Sequence, residues 1–272
     1  MSQMSGNGDY LANQIVSEEQ IQAWVEQFHR DGFLFVQNVL PPDWCAQMRE
    51  DLDWALKENP NGLNNDAAHI TLAHRMFETS EANLRLFDLE PIVSFAEALV
   101  APNCHVIHNN SFKSRPGGGI TTWHQDDTPH ITVTDGKPPK NIRLSVMFFT
   151  ANYYLTDVPE IKYGGTEVIP GSHLFGASPL PDLGGTEWED RIRYNLGNAG
   201  SVVMFNNQVW HHGGLNRSER TRYITQVTYG RRMIGHKYYP FMNYNMPEHV
   251  YKDANPRLKR LLGFLDLSLI HI

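Results

Sequence analysis

The first strong pattern in the chain is an apolar stripe. Ile21, Trp24, Val25 and Phe28 fall at i, i+3, i+4 and i+7, the spacing of one face of an α-helix. Ser17 and Gln20 form a capping box ahead of the stripe, and Gly32 is a stop signal behind it. Phe33 to Leu40 then reads as a strand, and Pro41-Pro42-Asp43 opens a second helix that reaches Glu58. Residues 59–82 read as loop, Glu90 to Val100 as a further helix, and residues 1–16 as a flexible tail.

From residue 104 the texture changes to short β-rich runs separated by Gly, Pro and Asn turns. The strands expected are His105–Phe112, Ile120–His124, Ile142–Thr150, Gly165–Ile169, Ser201–Phe205 and Arg222–Tyr229. Helices first and strands afterwards predict a mainly β fold with a helical buttress. Its core would be a double-stranded β-helix, a cupin-like jelly roll with the N-terminal helices packed on it. The long stretch 176–199, rich in Pro, Gly and acidic residues, is either an exposed connection or a lid.

Composition narrows the function classes. The 272 residues are 41% hydrophobic and 11% aromatic, enough for a true core. Mean hydropathy is -0.43, and the sequence has neither a membrane-length apolar run nor a secretion signal at its start. A formal charge of -7 without a basic block argues against nucleic acid as a partner. Cys45 and Cys104, far apart, give no disulfide framework, so a reducing cytoplasm is expected.

The 13 histidines carry the chemistry. His124-Gln125-Asp126 places imidazole and carboxylate two residues apart, which on a strand point the same way. Random placement of the histidines and aspartates gives about 0.7 such pairs, so this one needs a companion. His29-Arg30-Asp31 also fits the pattern, but at a helix end residues two apart diverge by about 200°, so that pair is structural. The companion lies about ninety residues on: Trp210-His211-His212-Gly213-Gly214, followed by Arg220, Thr221 and Arg222. A histidine from that distant strand would complete the two-His-one-carboxylate set of a mononuclear Fe(II) oxygenase. Because adjacent strand residues face opposite ways, only one of His211 and His212 can reach the metal. An arginine on the next strand would grip a carboxylate through paired hydrogen bonds.

At these residues the chain resembles the phytanoyl-CoA dioxygenase-like branch of the Fe(II)/2-oxoglutarate oxygenases, over residues 17–264. The matching pieces are WHQD at 123–126, GGTEVIPGSH at 164–173, and HHGGLNRS with a following TRY at 211–223. The resemblance implies that His124, Asp126 and His211 hold Fe(II). It selects His211 over His212, and Arg222 over Arg220, by their spacing from Asn216. It implies 2-oxoglutarate and O2 as cosubstrates, with Arg222 on the far carboxylate of 2-oxoglutarate and Ser145 and Thr166 as further contacts. The implied reaction oxidises, most simply hydroxylates, a C–H bond of a small organic substrate and releases succinate and CO2. Asp126 argues against halogenation, since the related halogenases carry a small residue there.

Other residues receive blander roles. His173 is expected to shape a turn, Trp123 to face away from the metal into packing, and His130, His105 and His108 either to border the pocket or, more commonly, to be satisfied core or surface histidines. Tyr238 to Tyr244 is either a substrate lid or core cover. Pocket walls are expected near 59–82, 128–140, 176–199 and 236–250. Leu261-Leu262-Gly263-Phe264 fits the family, but LSLIHI at 267–272 coincides with a translated transposon end used in preparing sequencing libraries. Residues 265–272 are therefore set apart as an atypical tail, an artefact of sequencing. The rival functions are a catalytically silent metal-binding jelly roll acting as sensor or scaffold, and a cupin-type metal isomerase or cofactor-free oxygenase.

Overall fold

A computed structural model describes residues 10–58, 64–65, 69–134, 142–238 and 243–264. The first helix, α1 (Glu18–Asp31), starts where its cap predicts: the Ser17 side chain accepts from the Gln20 N–H, a cap that contributes about 1 kcal/mol. It ends at Gly32, whose φ of 78° is the left-handed conformation that glycine adopts without strain. Ile21, Val25 and Phe28 are buried. β1 (Phe33–Val36) is shorter than the run Phe33 to Leu40, because Asn38 turns the chain at a φ of 55°. α2 (Pro42–Glu58) matches its expected span.

Residues 10–16 of the expected flexible tail are anchored. The N–H groups of Leu11, Ala12 and Asn13 donate to the carbonyls of Asn38, Val39 and Glu90. The expected loop 59–82 also needs correction, since it contains β2 (Asn64–Asn65), β3 (Ile70–His74) and the start of α3 (Glu81–Leu84). α4 (Ile92–Leu99) lies within the span expected of it.

The remaining strands are β4 (His105–Ser114), β5 (Phe148–Tyr154), β6 (Thr166–Val168), β7 (Arg193–Tyr194), β8 (Val202–Asn206), β9 (His211–Gly213) and β10 (Arg222–Gly230). Two short helices follow, α5 (Glu248–Tyr251) and α6 (Pro256–Leu261). One antiparallel sheet has seven strands in the order β1-β8-β5-β10-β4-β3-β2, and the other three in the order β7-β6-β9. This is the mainly β, helix-buttressed jelly roll expected. Among the described residues no helix is long and apolar enough to cross a membrane.

Two expected strands differ. β5 begins at Phe148, not Ile142: Phe148 pairs with Gly230, the last residue of β10, and the Arg231 N–H donates to the Met147 carbonyl where the pairing ends. Ile120–His124 forms no continuous strand. Its backbone bonds to the β9 backbone are at its ends, through Ile120 with Gly213 and through a reciprocal bridge between His124 and His211.

The large sheet has two unlike faces, set by the period-2 alternation of strand side chains. Val227 and Tyr229 of β10, Phe149, Ala151 and Tyr153 of β5, and Val202 and Met204 of β8 join the core cluster formed with the helices. Phe28 of α1 and Phe95 of α4 meet Phe149 edge-on, at 5.7 and 5.5 Å, a geometry that aromatic pairs favour. The alternate residues of the same strands face the second sheet. There they enclose the cavity.

Candidate metal centre and cavity

His124, Asp126 and His211 converge at one side of this cavity, each offering a ligand atom within 4.8 Å of the others. His211 Nε2 lies 3.6 Å from Asp126 Oδ1, and the two imidazole rings are 4.3 Å apart. The backbone bridge between His124 and His211 brings a loop residue and a β9 residue, far apart in sequence, side by side.

Both imidazoles are oriented in the same way. His124 Nδ1 lies 2.8 Å from the Thr122 carbonyl and His211 Nδ1 lies 2.9 Å from the Val209 carbonyl. A carbonyl only accepts, so each Nδ1 must carry the proton, which leaves each Nε2 lone pair free toward the cavity. Burial, and then the neighbouring His211, push the His124 pKa below its ordinary value and keep the ring neutral. Burial favours the neutral form of Asp126, but His211, Lys237 and His124 outweigh it and hold the carboxyl below its usual range. Two imidazole nitrogens and a carboxylate are the donor set that a ferrous ion takes.

His212 is excluded as a ligand by its own hydrogen bonds. Its Nδ1 lies 3.1 Å from the Thr121 carbonyl and its Nε2 2.8 Å from Glu167 Oε2. Both ring nitrogens are thus turned to groups outside the cluster. Trp123 stacks on this ring at 4.1 Å and packs with Ile169, Leu183 and Trp210, away from the cluster as expected.

The cavity encloses about 240 Å³. Along β10 its lining runs Arg222, Ile224, Gln226 and Thr228, and along β4 His108, Asn110 and Phe112. Arg222 is only 4% exposed. Its guanidinium donates to the Gly214 carbonyl and to Ser114 Oγ, while its Nε is buried without a partner. Burial lowers its pKa to about 10, so it stays charged at neutral pH. Arg220 precedes β10 and is exposed, lying over the Tyr163 ring at 4.4 Å; its rival Arg222 alone lines the cavity.

Between Arg222 and the cluster runs a polar belt that sequence reasoning missed. Asn110 donates to Gln226, Gln226 to Asn152, and Asn152 to Thr166 Oγ1, at 3.2, 2.7 and 3.3 Å. The signal was present as alternation on β10 and β4, but no motif marks it. Thr166 is in the cavity lining. Ser145 is not: it is exposed, lies ahead of β5 and is absent from the cavity lining.

Of the other histidines among the described residues, only His108 lines the cavity. His173 lies in a short 3-10 turn and its Nε2 meets the His29 carbonyl, which places His29 and Asp31 in a structural contact. His105 bonds the Ile234 carbonyl, and His130 lies near Asp127 and Asn207. Tyr238 is core, donating to the Val106 carbonyl, and Tyr244 donates to Glu78; residues 239–242 between them lie outside the described residues. Stretch 176–199 is fastened: Trp123 N–H donates to the Pro181 carbonyl and Trp210 Nε1 to the Ala177 carbonyl. Residues 265–272 also lie outside the described residues.

Comparison with known proteins agrees with this geometry. The model of the phytanoyl-CoA dioxygenase family matches residues 28–224. The chain is similar to dioxygenase trt7 of Aspergillus terreus, 21% identical over 88% of this chain and 82% of that protein. It is 26% identical to ectoine dioxygenase of Nocardia farcinica over 70% of each. In fold it is similar to HygX from Streptomyces hygroscopicus, solved with nickel, 2-oxoglutarate and hygromycin B bound. The TM-score is 0.63 at 14% identity, covering 85% of this chain and 96% of that one. The epimerase SnoN, solved with Fe3+ and alpha ketoglutarate, gives 0.61 at 18%, covering 85% and 94%. Fold and family together place the protein among the Fe(II)- and 2-oxoglutarate-dependent dioxygenases. Within that class the chain belongs to the phytanoyl-CoA dioxygenase family.

Proposed function

We propose that His124, Asp126 and His211 hold the Fe(II), that Arg222 holds the far carboxylate of 2-oxoglutarate, and that the enzyme hydroxylates a C–H bond of a small organic substrate. The observation that carries this reading is a buried, charged guanidinium with an unpartnered Nε, in the same cavity as the His-Asp-His cluster. A buried cation costs several kcal/mol unless it is paired, and the dianionic cosubstrate supplies that pairing.

The chain's own residues then have separable tasks. The backbone carbonyls of Thr122 and Val209 fix the proton on Nδ1 of each histidine, so both Nε2 atoms arrive oriented. Asp126 stays ionised and contributes the single negative charge of the ligand set. Ser114 and the Gly214 carbonyl hold the Arg222 fork in one orientation. Thr166, at the end of the amide belt, would sit beside the cosubstrate, while Ile70, Leu72 and Phe112 limit access of water. Iron, 2-oxoglutarate and O2 together supply the oxidant, with succinate and CO2 as co-products. Two free, buried cysteines, Cys45 and Cys104, support action in a reducing cytoplasm.

The test is an anaerobic titration with Fe(II) and 2-oxoglutarate. The wild type is expected to show a visible metal-to-ligand charge-transfer band. Asp126→Ala should lose it, and Arg222→Ala should need at least tenfold more 2-oxoglutarate to form it. A wild type without the band would overturn the assignment.

A further inference from the structure

The cavity carries a second cation that the cosubstrate does not use. Among the described residues, its fixed charges are Arg222, Asp126 and Lys237. β10 and β4 pair Arg222 with Ser114 and Thr228 with His108, so the Arg222 and His108 levels are six residues, about 20 Å, apart along the strands. Four C–C bonds of 2-oxoglutarate span about 5 Å. The cosubstrate therefore ends well short of the His108 level.

Lys237 reaches this far end by a local irregularity of the sheet. The register of β10 against β4 shifts between Thr228 and Tyr229, leaving Ile107 as the extra residue, a bulge of the kind that re-aims chains beside sites. The Lys237 N–H donates to the Ile107 carbonyl at 2.7 Å, next to His108. Its ammonium lies over the Phe148 ring at 4.9 Å. No carboxylate among the described residues pairs with it. Its charge is nevertheless felt inside: together with burial, the larger cause, it pushes the His108 pKa down to about 4. His108 is thus a neutral imidazole beside a cation.

Charge balance makes the same point. Arg222 and Lys237 against Asp126 leave one net positive charge on the cavity wall. A divalent metal adds two and 2-oxoglutarate removes two, so one positive charge stays uncompensated at the end remote from Arg222. We propose that Lys237, with His108 beside it, recognises a carboxylate on the primary substrate. This rests on the assignment of Arg222 and the metal ligands made above. The ammonium supplies the ion pair and the imidazole of His108 a hydrogen bond to the second oxygen.

Binding calorimetry on the Ni(II)-loaded protein saturated with 2-oxoglutarate tests this without turnover. The probes are aliphatic and aromatic monocarboxylic acids, each paired with its own primary amide. At least one acid should bind tenfold or more tightly than its amide. Lys237→Met should bring that pair close to parity and Lys237→Arg should restore the preference, with 2-oxoglutarate affinity and Tm unchanged in both. Equal binding of acid and amide, an undiminished preference in Lys237→Met, or no acid bound in the millimolar range would each overturn the role of Lys237. Loss of 2-oxoglutarate binding in the wild type is a different failure; it would sink the assignment of Arg222 and the metal ligands and this proposal with it.

Discussion

His212 Nε2 lies 2.8 Å from Glu167 Oε2, and this pair of a half-buried imidazole on β9 and a buried carboxylate on β6 lies on the other side of β9 from the ligand face of His211. With the Thr121 carbonyl on the other nitrogen and Trp123 on its ring, His212 clamps the 121–124 segment onto β9. Adjacent histidines therefore have opposite duties, one toward the cavity and one toward the scaffold.

That division predicts opposite phenotypes. His212→Ala strands a buried Glu167 carboxylate and should lower unfolding free energy by about 3 kcal/mol, seen as a lower urea midpoint. His211→Ala removes no partner of a buried charge network beyond Asp126 and should leave the midpoint within about 1 kcal/mol of wild type, while abolishing the Fe(II)–2-oxoglutarate band. Equal destabilisation by both variants would contradict the division.

Stretch 176–199 is expected to behave as a brace and not as a lid. Leu183 is fully buried with Trp123, Ile169 and Trp210, and Phe175 and Trp188 meet at a tilt, 4.8 Å apart, beside them. Leu183→Ala should cost about 3 kcal/mol. Because the Pro181 carbonyl also holds the Trp123 N–H, the variant should weaken metal affinity as well. Hydrogen exchange should show this stretch as protected as β9 in the wild type; rapid exchange there would restore the lid reading.

Much of this was legible in the chain. The stripe Ile21, Trp24, Val25 and Phe28 gave α1 its boundaries because capping and periodicity agreed. The cluster His124, Asp126 and His211 was legible because two weak motifs, ninety residues apart, support one another only if the fold joins them. What stayed hidden depends on pairing. Ile120–His124 has strand composition, but the Thr121 and Thr122 carbonyls are taken by the imidazoles of His212 and His124. Ser145 lies outside the cavity lining because it precedes Phe148, where β5 begins its pairing with β10. Lys237 bears no motif at all, and a one-residue bulge brings it to the cavity.

Gly164 should prove as important to the cosubstrate as any polar residue. Its φ of 72° is left-handed, and a Cβ there would strike the Gly214 carbonyl and lie 2.7 Å from Arg222 Nη1. Gly164→Ala combines backbone strain of about 1–2 kcal/mol with displacement of the guanidinium. We expect the half-saturating 2-oxoglutarate concentration to rise at least tenfold while Fe(II) binding alone stays intact. Unchanged 2-oxoglutarate affinity would show that the Arg222 fork tolerates displacement.

Acid should destabilise the protein well before its carboxylates protonate. Burial holds His108 and His236 down to about 4, and His29, His74, His105, His124 and His173 are also lowered, each with burial as the first cause. The unfolded chain takes up these protons near pH 6.5, the ordinary histidine value, and the folded one only at lower pH, nearest pH 4 for His108 and His236. Between those limits the unfolded state binds more protons, so stability rises with pH and is lost as pH falls. A series of Tm measurements should fall steadily from pH 6.5 to pH 4. His236 stacks on Tyr238 at 4.9 Å and lies outside the metal cavity, so His236→Phe keeps a ring there while removing one titration. That variant should show a visibly shallower slope over the same window with Tm at pH 8 little changed. A slope identical to that of the wild type would mean that the His236 imidazole protonates equally in both states.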